Sequence, residues 1–145
     1  MVTMVMRTDT SAYRVKHIDP DNMMKNSAYT QVIEVSGQVR TIYISGQNAV
    51  DRLGKIVGKG DVGVQTEQIM KNLSSALRAV GAGLEDMIKC TICLVHGQPS
   101  DPVRQAYLSA WGDRPNPPTI SLMYVAGLAR PEFLAEIDAI AVAPL

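Results

Sequence analysis

The sequence is poor in most of the residues that announce a chemistry. Two cysteines and two histidines stand among 145 residues, with one phenylalanine and one tryptophan. Fourteen basic side chains balance fourteen acidic ones, so the formal net charge is zero. That balance removes the clustered cations on which nucleic-acid binding depends, and the scarcity of aromatics removes a stacking platform. It also lowers the general repulsion between copies of the chain, which suits self-association. No apolar run is long enough to cross a bilayer, and MVTMVMRTDT is too short to be a signal-peptide core. The expectation is a cytoplasmic protein with no membrane partner. Known catalytic spacings are missing too: GxSxG, HExxH, a Walker loop and a dinucleotide fingerprint are all absent. GKIVGKGDVG has the glycines of a phosphate loop without the GK[ST] ending or a preceding strand. Cys90 and Cys93 have CxxC spacing, but IKCTICLV alternates as a strand and places residues three apart on opposite faces. They read as structural thiols rather than a redox pair or half a zinc site. His17 and His96 read as surface loop residues, not ligands.

What is present is the patterning of one ordinary α+β domain. Residues 1–27 form a polar arm with room for one short strand, and residues 28–145 form the domain. AYTQVIEVSG (28–37) and QVRTIYISGQNAVD (38–51) are strands separated by a short turn at Ser36-Gly37-Gln38, which is a hairpin signal. Ile69, Leu73, Ala76, Leu77 and Val80 recur on one face of a helix over 62–80, with Asp61 as N-cap and Gly81 as stop. IKCTICLV (88–95) is a strand. A second helix begins at Ser100 or Asp101 as cap, takes Pro102 in its first turn and ends at Gly112. Val103, Ala106, Tyr107, Ala110 and Trp111 share its apolar face. Strands follow at 119–127 and 134–142. The order β-β-α-β-α-β-β predicts a mixed sheet with both helices on one face, leaving the other face open to be covered by further copies.

The informative residues are polar ones set in apolar strands. Ser45-Gly46-Gln47 ends the strand RTIYI. Glu136 and Asp138 fall two apart on the last strand, hence on one face. Periodicity alone leaves two readings of that face: solvated, or enclosed in a cleft between subunits, where Glu136 would move a proton to or from water.

These same segments carry a resemblance. AYTQVIEVSG, IYISGQNAVD, QTEQIMKNLSSALRAVGAGLEDMIKCTICLV, VRQAYLSAWG and AEIDAIAV resemble the Rid/YjgF family of reactive intermediate deaminases, also called the endoribonuclease L-PSP family. The match runs from about residue 28 to 143. It implies a fold like chorismate mutase. It also implies a homotrimer with sheets around a central barrel and three small-molecule clefts between subunits. In deaminating members the cleft hydrolyses an enamine or imine to a 2-keto acid and ammonia, with no cofactor or metal. Carried over, Tyr29 matches the tyrosine that reaches the site, Ser45, Gly46 and Gln47 match the SGQ strand end, and Glu136 matches the glutamate that positions water.

One departure stands out. Where deaminating members carry PARS, this chain has Pro118-Thr119-Ile120-Ser121. Ile120 occupies the position of the carboxylate-gripping arginine, and Leu122 that of a frequent cysteine. Loss of a charge-assisted contact inside a cleft costs on the order of 2–5 kcal/mol of binding. The resemblance therefore implies a neutral or more apolar ligand, unless Arg40, Arg114 or Arg130 swings in. Two functions compete: an imine or enamine hydrolase with an altered substrate, motivated by Glu136, and a non-catalytic trimer that binds a small metabolite, motivated by Ile120. RNA cleavage ranks last on charge and aromatic content.

Overall fold

The computed structural model describes residues 13–145; the first twelve residues of the expected arm lie outside them. The chain runs β1 (Arg14–Ile18), β2 (Val32–Ser36), β3 (Arg40–Gln47), α1 (Val62–Ala79), β4 (Met87–Val95), α2 (Ser100–Trp111), β5 (Thr119–Val125) and β6 (Ala135–Ala143). β1 is the short strand expected in the arm. β3, β6, β4 and β5 form one four-stranded sheet in that order, antiparallel except for the β4–β5 pair. That parallel pair needs a crossover, and α2 supplies it.

The sheet buries one face. In β6, Ala135, Ile137, Ala139 and Ala141 are buried, while Glu136 and Asp138 point the other way. In β4 the same alternation buries Cys90, Ile92 and Leu94. Ile69, Leu73 and Leu77 of α1 and Val103, Tyr107 and Trp111 of α2 complete the core. Each such fully buried aliphatic side chain contributes roughly 1.5–3 kcal/mol. Both helices therefore lie on one face of an α+β sheet, as the sequence predicts.

The helix ends follow local chemistry, with one correction. Asp61 Oδ1 accepts the Val64 N–H at 3.0 Å and caps α1. Beyond α1, Gly81 takes φ +73° and lets Ala82 N–H reach back to Leu77 O, a left-handed stop that suits glycine. α2 is different. Its N-cap is Pro99, in an extended conformation and with no side-chain hydrogen bond, so neither Ser100 nor Asp101 caps it. Ser100 is already helical. The start moves one residue earlier because Pro99 fixes the extended φ that an N-cap needs.

The expected hairpin between β2 and β3 does not form. β2 pairs with β1, with Lys16 opposite Glu34 and their charges 3.1 Å apart, while β3 pairs with β6. Alternation identified both strands but carries no record of the partner. His17 consequently lies half-buried on β1 rather than in a loop, with Nδ1 3.2 Å from Thr30 Oγ1. Thr30 Oγ1 in turn donates to Pro117 O at 2.6 Å, so His17 Nδ1 must be the donor in its own bond. Thr30 N–H also reaches Pro118 O. This buried threonine fastens the segment before β2 to the entry of β5.

Candidate functional site

Two groups of residues form, on opposite sides of the sheet. The first surrounds Glu136. Between Ile44 and Gln47 the β3–β6 register slips, so Ser45 and Gly46 bulge outward opposite Asp138. Such bulges re-aim neighbouring side chains. The Glu136 side chain lies over the bare Gly46 backbone: a Cβ there would stand 2.6 Å from Glu136 Cδ and 2.8 Å from Oε2. Glycine is required here by contact, since Gly46 is not in the positive-φ region. Gln47 turns its amide back to Ser45 O at 2.9 Å. The three ion pairs among the described residues, Lys16–Glu34, Lys25–Asp21 and Arg114–Glu85, leave Glu136 out.

Side-chain amides hold this geometry, the buried Gln65 and the half-buried Asn72 from α1. Gln65 bridges Glu132 O, Gly58 O and the Leu134 N–H, which fixes the chain entering β6. Asn72 donates to Asn48 O and Val50 O, and Asn48 donates to Ala135 O, which fixes the chain leaving β3. Cys93 sits opposite Glu136 on β4. Burial first, and then the carboxylates of Glu136 and Asp138, push its thiol pKa up. The open face near Glu136 is thus locally negative, with Lys89 Nζ donating to Ser121 Oγ further along.

The second group lies on the helix side. Ile120 pairs with Cys90 and Leu122 with Ile92, both on the buried face of β4. Ile120, Leu122 and Tyr29 line a cavity of about 410 Å³ together with Asn26, Ala28, Ser100, Val103, Arg104, Tyr107 and Leu108. Tyr107 stacks on Trp111 with ring planes 5° apart. Its hydroxyl is buried without a hydrogen-bond partner, and burial raises its pKa. The Cys90 thiol beside it raises that pKa further, and is itself pushed up to about 12 chiefly by burial.

The structure thus brings Tyr29, Ile120 and Leu122 together, and separately Ser45, Gly46, Gln47 and Glu136. It does not join the two groups within one protomer. The three arginines considered as replacements at Ile120 are held elsewhere. Arg40 donates to Pro144 O and Val80 O. Arg114 binds Glu85 and the carbonyls of Ala110 and Trp111, and Glu85 has its pKa lowered by a backbone hydrogen bond and then by Arg114. Arg130 contacts Gly54 O and lies over the Phe133 ring. Sequence reasoning missed Arg104, Tyr107 and Leu108 as cavity residues, although Ser100, Arg104 and Leu108 follow the i, i+4, i+8 spacing of one helical stripe. It also missed Thr30, whose position shows only in its contacts with Pro117 and Pro118.

A four-stranded sheet carrying two helices on one face, with a glycine bulge beneath a strand-borne glutamate on the other, places the chain among small two-layer α+β domains. Comparison narrows the class. The sequence model described as Endoribonuclease L-PSP matches residues 21–143. The chain belongs to this family, the Rid/YjgF family. It is 33% identical to a RutC family protein of Synechocystis over 80% of this chain and 86% of that protein. It is 32% identical to the 2-iminobutanoate/2-iminopropanoate deaminase of Rattus norvegicus over 79% of this chain and 80% of that protein. Among solved structures, the Rid-family protein YyfB of Yersinia pestis superposes with a TM-score of 0.79 at 30% identity, covering 89% of this chain and 98% of that one.

Proposed function

We propose that the chain hydrolyses a reactive imine or enamine to a carbonyl compound and ammonia, in clefts shared between copies of itself. The observation that carries this reading is the seat of Glu136, a carboxylate lying on bare Gly46 and outside every ion pair among the described residues. A carboxylate so placed accepts a proton from water as the water oxygen adds to the C=N carbon. Glu136 passes that proton to the nitrogen, then takes the carbinolamine hydroxyl proton and relays it likewise as the C–N bond breaks, so that ammonia leaves as the carbonyl forms; an enamine first moves its N–H proton to the β-carbon to become the imine. Each turnover consumes one water and needs no oxidant. The rat relative bears a 2-iminobutanoate/2-iminopropanoate deaminase name, which supports this reaction class.

Because Glu136 and the Tyr29–Ile120–Leu122 cavity occupy opposite sides of the sheet, a site that uses both requires two copies, one giving Glu136 and the other the cavity wall. A homotrimer is the assembly the family resemblance implies. Subunit mixing tests the arrangement. Glu136→Gln and Tyr29→Ala are each expected to be inactive alone, and co-refolded mixtures to regain activity because some clefts then hold neither substitution. A mixture no more active than the two single variants would reject the shared cleft. A binding protein without turnover is the second reading, favoured by the hydrocarbon wall of Ile120 and Leu122. Wild-type protein that binds cavity ligands yet leaves imine hydrolysis at the buffer rate would select it.

A further inference from the structure

The cavity beneath β5 has one charged side chain in its lining, and it comes from the helix rather than the strand. Apolar groups of Val103, Tyr107, Leu108, Ile120, Leu122 and Tyr29 form most of the wall. Among the described residues, no carboxylate lines it. Arg104 takes part in none of the three ion pairs among the described residues, whereas Arg40, Arg114 and Arg130 all make the contacts given above. The other polar groups near this wall are the start of α2 and Tyr107. α2 takes Pro99 as its N-cap with no side-chain hydrogen bond, and Asp101 stands in its first turn. Tyr107 is 3% exposed, and its hydroxyl lies against the Cys90 thiol.

We infer that Arg104 is the specificity-determining residue of this cavity, and that it selects ligands with an acidic head and a branched or aromatic apolar body. The head lies against α2 and the body against Ile120 and Leu122. This inference rests on the cavity being the substrate wall of the proposed hydrolase, and it fixes which end of the ligand meets which wall. A guanidinium at the rim holds a carboxylate by charge-assisted hydrogen bonds while the strand side excludes water from the body. A small acid without a body leaves the Ile120–Leu122 wall unfilled, and a neutral ligand leaves Arg104 without a partner.

Calorimetric binding of 4-methylpentanoate and of its neutral amide, 4-methylpentanamide, separates these terms because the bodies are the same. Wild-type protein is expected to prefer the acid by about tenfold, the scale of one hydrogen bond to a charged group. Arg104→Gln is expected to lose that preference while still binding the amide, and Arg104→Lys to keep part of it. Arg104 is exposed, so a matching melting temperature for the variants checks that the fold is intact. A preference that survives Arg104→Gln overturns the inference, as does a wild type that binds acid and amide equally or binds neither. Since binding is read without turnover, each of these results leaves hydrolysis at Glu136 to be judged by its own assay.

Discussion

Replacing Gly46 by alanine separates the position of Glu136 from the stability of the fold. The added methyl carbon would lie 2.6 Å from Glu136 Cδ, 2.8 Å from Oε2 and 3.0 Å from Cγ. Ordinary contact begins near 3.4 Å, so the carboxylate must retreat by about 0.8 Å. What moves is the free end of a half-buried side chain, not backbone. Gly46 is outside the positive-φ region, so alanine adds no backbone strain there. The expected stability change is therefore within about 0.5–1 kcal/mol, in the range of substitutions that relax without opening a cavity. Catalysis is far less tolerant, since a displacement near 1 Å can cost on the order of a hundredfold in rate. The assay pairs a urea melt with imine turnover. Gly46→Ala should melt close to wild type and lose roughly two decades of kcat/KM. The double variant with Glu136→Gln should be no worse than Glu136→Gln alone, because both changes remove the same group. Full activity in Gly46→Ala would refute the idea that Gly46 is bare in order to seat Glu136.

Other consequences follow from buried groups. Thr30→Val removes the hydroxyl that joins His17 to Pro117 O, and should destabilise the protein by about 1–3 kcal/mol in urea denaturation by leaving buried polar groups unpaired. Tyr107→Phe removes a hydroxyl that has no partner, so the melting temperature should hold or rise. Stability should fall above pH 9. The unfolded Cys90 thiol then releases its proton near its ordinary value of 9.0, while the folded one holds it to about 12. The unfolded state therefore binds fewer protons, which costs up to roughly 1.4 kcal/mol per pH unit in that window. Cys90→Ala should flatten the decline between pH 9 and 10, before Tyr107, whose pKa is also raised by burial, begins to contribute. In the native protein a thiol reagent should reach Cys93 and spare Cys90.

Much of the fold is written in local signals. Asp61, Gly81 and Gly112 punctuate the helices where steric and capping preferences require, and the alternation in EIDAIAV marks the buried face of β6. Pairing is another matter. Nothing in VIEVS says that its partner is RVKHI rather than the strand that follows it, because both choices satisfy the same period of two. The same limit divided the candidate site. Glu136 is flagged by the alternation of its strand and Ile120 only by its departure from the family pattern, and their relative side depends on register: Ile120 stands opposite Cys90 and Glu136 opposite Cys93, three residues apart on β4 and hence on opposite faces. Arg104 escaped notice because a single arginine on an amphipathic helix looks like any solvated charge until the cavity beside it is seen.

The most direct test of the hydrolase reading is ammonia release from imines made in situ by an amino acid oxidase, 2-iminopropionate from alanine and the branched imine from leucine, above the buffer rate. Wild-type protein should accelerate at least the branched imine, and Glu136→Gln, folded to the same melting temperature, should return both to background. A wild type no faster than buffer on either imine, or a Glu136→Gln variant as fast as wild type, would contradict the account.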